Sequence, residues 1–109
     1  MEKFIKGEVV VIPFPFSDLS GSKKRPAFVL ADLQGDDILL CQITSQQTKD
    51  SHSISLNKND FRSGSLPSDS FIRPSRIFTA DKSIIIRKAG IVNNNVIAAV
   101  IKKIIDIIQ

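Results

Sequence analysis

The chain has 109 residues, of which 42% are hydrophobic and 24% charged, a balance typical of a folded protein and not of a disordered one. This length is near the commonest size of one domain, so we expect residues 1–109 to form a single domain. Fifteen Lys and Arg against eleven Asp and Glu give a formal net charge of +4, which favours an anionic partner without identifying it.

Cysteine usage and apolar runs indicate the compartment. Cys41 is the only cysteine, so no disulfide can form within the chain, and its apolar surroundings favour a buried thiol in a reducing compartment. Residues 1–8 lack the apolar region and cleavage site of a secretory signal. The longest apolar stretch, residues 96–108, is interrupted by charges and is shorter than the roughly 20 residues of a membrane span. We therefore expect a cytoplasmic protein with no membrane partner.

The N-terminal region predicts a strand followed by a long loop. Residues 7–13 read GEVVVIP, a β-branched run bounded by Gly and Pro, which is typical of a mostly buried strand. Residues 14–24 are rich in Pro, Ser, Asp and Gly and predict a loop. This loop closes on the consecutive cations Lys23, Lys24 and Arg25.

The next two apolar runs predict an antiparallel hairpin. They comprise residues 27–31 and 38–43, and the turn between them, residues 32–37, contains Gln34 and Gly35. Such turn chemistry between two strand-like runs indicates that they pair directly.

Short strands and one helix are expected in the rest of the chain. After the polar segment 44–50, residues 52–56 alternate as a half-exposed strand does, and residues 57–69 read as a loop. The remaining strand candidates, the first two separated by Pro74, are residues 70–72, 76–79 and 83–86. Apolar residues at helical spacing over 96–108, with asparagines at 93–95 available for the N-cap, predict a C-terminal amphipathic helix. Many short strands and one helix indicate a mainly β fold, a closed or half-closed antiparallel barrel with the helix packed on it.

The residue inventory narrows the possible chemistry. His52 is the only histidine, a structural zinc site lacks its ligands, and no phosphate-binding glycine loop occurs. RNA cleavage by transesterification needs no metal and no cofactor, because the substrate's own 2′-hydroxyl is the nucleophile and the protein orients it and stabilises charge. Arginine suits that task, since its planar fork holds two phosphate oxygens.

Three segments carry a resemblance to a known family. Residues 7–32 combine a Gly-acidic start to the first strand, a loop with Pro, Asp and Gly, and the element Lys24, Arg25, Pro26. Residues 43–46 read ITSQ, and residues 70–81 have the form S-x-I-x-P…R-x-x-T-x-D. In these segments, and over nearly its whole length, the chain resembles MazF/PemK-type toxins.

The resemblance implies a fold, an activity and partners. Such proteins are usually the toxins of type II toxin–antitoxin pairs, with an SH3-like antiparallel β-barrel that dimerises, cleaves single-stranded RNA and is silenced by a cognate antitoxin. The family's catalytic positions carry over as Arg25 and Thr44. The residues expected to bind RNA beside them are Lys24, Ser45, Gln46, Arg73 and Arg76.

One departure affects the expected mechanism. Some PemK-type members have an acidic residue in the segment that matches residues 73–76, where this chain has Pro74 and Ser75. A mechanism that uses this carboxylate as a base would need another group for that task in this chain. The flanking cations Arg73 and Arg76 are still available for phosphate.

Each singled-out residue also has an ordinary explanation. Arg25 would be a solvated loop cation, Thr44 a strand end whose hydroxyl bonds to backbone, and His52 a structural histidine that we leave out of the site. Phe14 and Phe16 would stack on bases or, alternatively, close the end of the barrel.

Two alternative functions stay open at this point. A non-catalytic barrel would bind nucleic acid or a peptide through the same groove, and the missing acidic residue favours it. A gyrase-directed toxin on the same barrel is the other alternative.

Overall fold

The computed structural model describes residues 3–13, 23–46 and 51–109. The elements follow one another as β1 Glu8–Pro13, β2 Lys24–Asp32, β3 Asp37–Thr44, β4 Ile54–Leu56, a 3₁₀ helix Lys58–Asp60, β5 Phe61–Gly64, β6 Ser70–Asp81, a second 3₁₀ helix Lys82–Ile84, β7 Arg87–Val92 and α1 Asn94–Ile108. Residues 14–22, where the predicted loop with Phe14 and Phe16 falls, lie outside the described residues, as do residues 47–50.

The seven strands of the described ranges form one antiparallel sheet in the order β4-β6-β3-β2-β1-β7-β5. The sheet curls into a half-barrel, and α1 packs against β6. The predicted mainly β fold with a C-terminal helix is therefore confirmed, in the half-closed form of the barrel. In the described parts of the chain, no helix has both the length and the apolar character needed to cross a bilayer.

The core lies on both faces of the sheet because side chains alternate along each strand. One group of buried residues, the α1 cluster, includes the helix residues Val96 and Val100. Its other members are Val9, Phe28, Leu30, Cys41, Ile43, Leu56, Ile72 and Val92. The group on the opposite face, the Phe4 cluster, consists of Phe4, Val10, Ile12, Ala27, Val29, Ile38 and Leu40. Membership of one cluster or the other thus shows which way each strand residue points.

The predicted β2–β3 hairpin is confirmed. Its turn places Gln34 at φ 64° and Gly35 at φ 61°, and positive φ at both central positions suits the twist of an antiparallel hairpin. The Gln34 N–H also donates to Oδ1 of Asp32 at 2.9 Å, which closes the turn locally.

Asp32 joins three segments that are distant in sequence. Nζ of Lys82 lies 2.6 Å from Oδ1 of Asp32 and also donates to the carbonyl of Gly35 at 2.9 Å. The Phe4 N–H donates to the other carboxylate oxygen at 3.4 Å. The hydrogen bond from Lys82, followed by that from the Gln34 N–H, lowers the pKa of Asp32 below its usual value of 3.8. Together these bonds hold the N-terminal segment, the hairpin turn and the end of β6.

Two strands extend beyond their predicted limits. β2 begins at Lys24, which pairs with Pro13, so the cations predicted to end a loop lie partly within the sheet. β6 runs through Pro74 as one strand, although two strands were expected. Its register with β3 shifts between Arg73, which lies opposite Gln42, and the next paired residue, Ile77, which lies opposite Cys41. Residues 74–76 form a bulge there, where a proline need not donate to the ladder.

Two further strands were not predicted. β5 occupies residues expected to be a loop and pairs with β7, in which Phe61 lies opposite Val92. A strand was predicted at residues 83–86. This prediction is wrong, because residues 82–84 form a 3₁₀ helix capped by Asp81, and β7 begins after it at Arg87. The predicted helix is confirmed with Asn93 at its N-cap, but the Asn93 amide donates to the carbonyl of Asn59 and does not cap the helix.

Gly64 and Gly35 provide a matched test of backbone strain. Both have positive φ, at 76° and 61°, where alanine costs about 1–2 kcal/mol. A Cβ on Gly64 would meet the carbonyl oxygen of Ala89 and lie 2.6 Å from Cα of Gly90, whereas a Cβ on Gly35 would have no described heavy atom within 4 Å. We expect Gly64→Ala to lower the free energy of unfolding by ~1–3 kcal/mol more than Gly35→Ala, as measured by urea denaturation. Equal losses for the two variants would contradict the close approach of β5 and β7.

The Asp32 network predicts a specific acid dependence. A carboxylate with a lowered folded-state pKa contributes stability above its unfolded pKa and loses it as the pH falls through the folded pKa. We expect Asp32→Asn to lower the urea midpoint clearly at about pH 7 and much less at about pH 2. Asp106→Asn, which removes an exposed carboxylate from α1, is the control and should leave the midpoint nearly unchanged at both values. A deficit of Asp32→Asn that is the same at both values would refute the role of the ionised carboxylate.

Candidate functional site

Arg25 lies inside the sheet and not in a free loop. It is the second residue of β2, it pairs with Ile12 of β1, and its side chain is half-buried. Pro26 follows it and restricts the Arg25 backbone to an extended conformation. The ordinary explanation of Arg25 as a solvated loop cation therefore does not describe its position.

The β2–β3 hairpin orients Arg25 and Thr44 to the same face. The paired part of β2 and β3 ends with Ala27 opposite Gln42, and Arg25 and Thr44 each lie two residues beyond that pair. Ala27 belongs to the Phe4 cluster, so Arg25, two residues away, points to that face. Ile43 belongs to the α1 cluster, so Thr44, its neighbour, also points to the Phe4 face.

β6 and β4 continue from Thr44 across the sheet. Phe71 of β6 lies opposite Thr44 on one side and opposite Ser55 of β4 on the other. We call the site row the set formed by the paired residues Ser55, Phe71 and Thr44 together with the pair Arg25 and Ile12, which lies just beyond the last β2–β3 pair. A parallel line, the second row, consists of Arg73, Gln42 and Ala27.

Thr44 combines a local bond with a remaining donor. Its Oγ1 accepts the N–H of Gln46 at 3.2 Å, which is the backbone bond expected of a hydroxyl at the end of a strand. A threonine hydroxyl also has one O–H donor, which this bond does not use. The bond fixes the oxygen, and the O–H can then be directed at an acceptor such as a phosphate oxygen.

Five further residues were predicted to contact RNA, and the structure places them differently. Arg73 is half-buried in the second row, on the same face as Arg25, and its Nε is fully buried. Arg76 is exposed within the β6 bulge. Lys24 is exposed and, as the neighbour of Arg25 in β2, alternates to the other face. Ser45 and Gln46 are exposed just beyond β3. Arg25, Thr44 and Arg73 thus share one face, Lys24 points to the other, and Ser45, Gln46 and Arg76 are exposed.

Two other residues of reactive types, Cys41 and His52, are not members of either row. Cys41 points into the α1 cluster, and burial raises the pKa of its thiol to about 12, so it is not a nucleophile at neutral pH. His52 is half-buried and precedes β4. Among the residues described, no group of three or more His, Cys, Asp and Glu side chains could hold a metal ion.

Five residues of the two rows were not predicted as site residues from the sequence, namely Ser55, Phe71, Gln42, Ile12 and Ala27. Each belongs to its row only through cross-strand pairing: Phe71 pairs with Thr44 and Ile12 with Arg25, whereas Ser55 pairs with Phe71, and Gln42 pairs with Ala27 and Arg73. A residue that pairs across strands leaves no local signal, so only a known register could have indicated them.

Comparison with known proteins identifies the family. The family described as PemK-like, MazF-like toxin of type II toxin–antitoxin systems matches residues 5–108, almost the whole chain. The chain belongs to this family. The predicted resemblance to MazF/PemK-type toxins is confirmed, and with it the assignment to the toxins of type II toxin–antitoxin systems.

Solved structures of MazF-type proteins have the same fold. An endoribonuclease in complex with its cognate antitoxin from a mycobacterial species is 14% identical, with a TM-score of 0.73 over 95% of this chain and 93% of that one. MazF in a MazE–MazF structure from Deinococcus radiodurans is 16% identical, with a TM-score of 0.72 over 95% and 93%. The Mycobacterium tuberculosis toxin MazF-mt6 is 13% identical, with a TM-score of 0.71 over 91% and 93%. No curated protein sequence matches the chain. These similarities confirm the SH3-like barrel of MazF/PemK type.

Proposed function

We propose that this MazF/PemK-family toxin is an endoribonuclease that cleaves single-stranded RNA without a metal or cofactor. The observation that carries the proposal is the position of Arg25, half-buried in β2 on the face of the sheet that Thr44 also faces. A guanidinium and a hydroxyl on facing strands can hold a phosphate between them. Solved structures with this fold include proteins named as endoribonucleases, which supports the assignment.

The proposed reaction is an internal transesterification. The 2′-oxygen of one nucleotide bonds to the adjacent phosphorus as its proton leaves, and the bond from phosphorus to the 5′-oxygen of the next nucleotide breaks as that oxygen gains a proton. The products are a 2′,3′-cyclic phosphate and a 5′-hydroxyl. No electron is transferred and no water is consumed, so the protein has only to orient the phosphate and stabilise the charge that develops on it.

The residues divide this work by position. Arg25 binds and stabilises the scissile phosphate through its planar fork, and Thr44 orients the same group with its O–H. Arg73, on the same face, holds the neighbouring backbone phosphate. Lys24, Ser45, Gln46 and Arg76 are exposed and contact the RNA strand where it passes beyond this face.

The proposal extends to partners and compartment. A cognate antitoxin binds and silences the toxin in the cytoplasm, and the toxin acts as a homodimer. Support for the antitoxin comes from relatives of known structure that were solved together with theirs.

A second function is favoured by one observation. Where some relatives have an acidic residue, this chain has Pro74 and Ser75, and Pro74 is buried within the β6 bulge. A barrel without that carboxylate would bind nucleic acid and release it uncut. Binding without product in the assay below would indicate this function, and a gyrase-directed toxin would leave the RNA unbound and intact.

Arg25 substitutions test the proposed activity directly. The purified protein should cut single-stranded RNA in EDTA and give 5′-hydroxyl ends, detected by labelling with a polynucleotide kinase without prior phosphatase treatment. We expect Arg25→Ala to lower kcat by about 10²- to 10³-fold, since it removes charge stabilisation of the transition state. Arg25→Lys should recover only part of the rate, because an ammonium cannot hold two oxygens in a plane.

The matched control for this test is Arg87→Ala. Arg87 is exposed on β7 opposite Val11, outside both rows, so its removal subtracts the same charge from a different place. If Arg25→Ala and Arg87→Ala both cut like the wild type, Arg25 is not in the site. If neither the wild type nor any variant cuts, the chain is not a nuclease under these conditions.

Thr44 substitutions separate the hydroxyl's chemical role from its structural one. Thr44→Val keeps the side-chain shape but loses the O–H, whereas Thr44→Ser keeps it. We expect Thr44→Val to lower kcat about 10- to 100-fold, the value of a hydrogen bond to a charged group, and Thr44→Ser to stay within about threefold of the wild type. Thermal melting should show that Thr44→Val loses only the ~1 kcal/mol of the bond from Gln46. Wild-type cleavage by Thr44→Val would leave Thr44 with the structural role alone.

A further inference from the structure

We propose that Phe71 is a stacking platform for an RNA base next to the scissile phosphate. The proposal rests on the proposed function, because it assigns a base-binding position to the same site. It concerns a residue of the site row that neither the sequence patterns nor the resemblance indicated.

Phe71 differs from the other phenylalanines of the described ranges. Of the five there, four pack in or against the core: Phe28 and Phe61 with the α1 cluster, and Phe4 and Phe78 with the Phe4 cluster. Phe71 belongs to neither group, although it is half-buried on β6, the strand next to the edge strand β4. Neither core cluster of the described residues therefore accounts for its ring.

Its position joins the ring to the phosphate-binding groups. Phe71 lies opposite Thr44, and its β6 neighbour Ile72 points into the α1 cluster, so the ring is on the face that carries Thr44 and Arg25. Adjacent strands lie about 4.8 Å apart, so the ring is one strand spacing from the Thr44 hydroxyl. A nucleotide whose phosphate is bound between Arg25 and Thr44 can therefore place its base on this ring.

The surrounding chemistry fits a nucleic-acid strand. Proteins that bind unpaired strands combine cations along the backbone with aromatic rings on which bases stack. Here the ring has Thr44 on one side and Ser55 on the other, and Arg73 is two residues away in the same strand and on the same face. Because every base has a π-face, such a platform positions a nucleotide without selecting its identity.

The test separates binding from cleavage with an uncleavable probe. A 2′-O-methyl RNA of mixed sequence lacks the nucleophilic hydroxyl, so its affinity can be measured by fluorescence anisotropy for any variant. Stacking is worth about 1–3 kcal/mol per base, so we expect Phe71→Leu to lower the affinity for this RNA about 5- to 100-fold. Phe71→Trp, which keeps a stacking ring, should bind within about threefold of the wild type.

A second set of probes locates the base. A series of the same oligonucleotide carries one abasic residue at each position in turn. At one position, loss of the base should lower the affinity of the wild-type protein by the same factor as Phe71→Leu lowers it for the intact oligonucleotide. Phe71→Leu should be insensitive to that same position, since the ring and the base act as a pair. Phe61→Leu is the matched control, because it removes a half-buried ring from the α1 cluster and should lower stability without changing RNA affinity.

Each outcome decides between the two proposals. If Phe71→Leu binds as tightly as the wild type, the platform is refuted whether or not the protein cuts RNA. If the wild type binds with the expected Phe71 dependence but cuts no cleavable RNA, the nuclease assignment fails and the platform stands. If Phe71→Leu changes the oligomeric state in light scattering and not the RNA affinity, the ring contacts a second copy of the chain and the proposal is wrong.

Discussion

The register between β2 and β3 determines whether Arg25 faces the same side of the sheet as Thr44. The turn at Gln34 and Gly35 starts the hairpin with Asp32 opposite Ile38, and an irregularity between Val29 and Ala31 then shifts the pairing by one residue. Because side chains alternate with a period of two, a further slip of one residue would turn the β2 side chains to opposite faces. Arg25 would then face the apolar α1 cluster, where an unpaired cation is costly. Packing on both faces of the sheet therefore fixes the position of the guanidinium.

Local patterns were sufficient where an element's own residues determine it. The β-branched run of β1, the hairpin turn with its left-handed positions, and the helical spacing of α1 could all be predicted from the sequence. Local patterns gave wrong predictions where the structure of a segment depends on the strand that pairs with it. The FRSG segment of β5 has no strand alternation, and only its pairing with β7 makes it a strand. Pro74 likewise indicated a break in β6, but a bulge of three residues accommodates a residue that cannot donate to the ladder.

The candidate site shows the same division. Arg25 and Thr44 could be named because short motifs carry the family resemblance, and motifs are local. Their position on one face of the hairpin, and the presence of Phe71 and Ser55 beside them, depend on two registers and on an irregularity that the sequence does not show. The sequence showed that Pro74 and Ser75 provide no carboxylate, but it did not show the backbone conformation of this segment. Pro74 and Ser75 lie in a bulge next to Arg73, so this segment departs from a regular strand, which the sequence alone did not show.

The burial of Cys41 has a consequence for how this protein meets oxidants and electrophiles. The side chain lies in the middle of β3, next to the second row, and its thiol is held in the protonated form, which is poorly reactive. It is also the only sulfhydryl in the chain. Alkylating reagents can reach it only when β3 separates from its neighbours, so the folded toxin should be indifferent to cellular redox state. The rate at which such a reagent is consumed would therefore report how often the centre of the sheet opens.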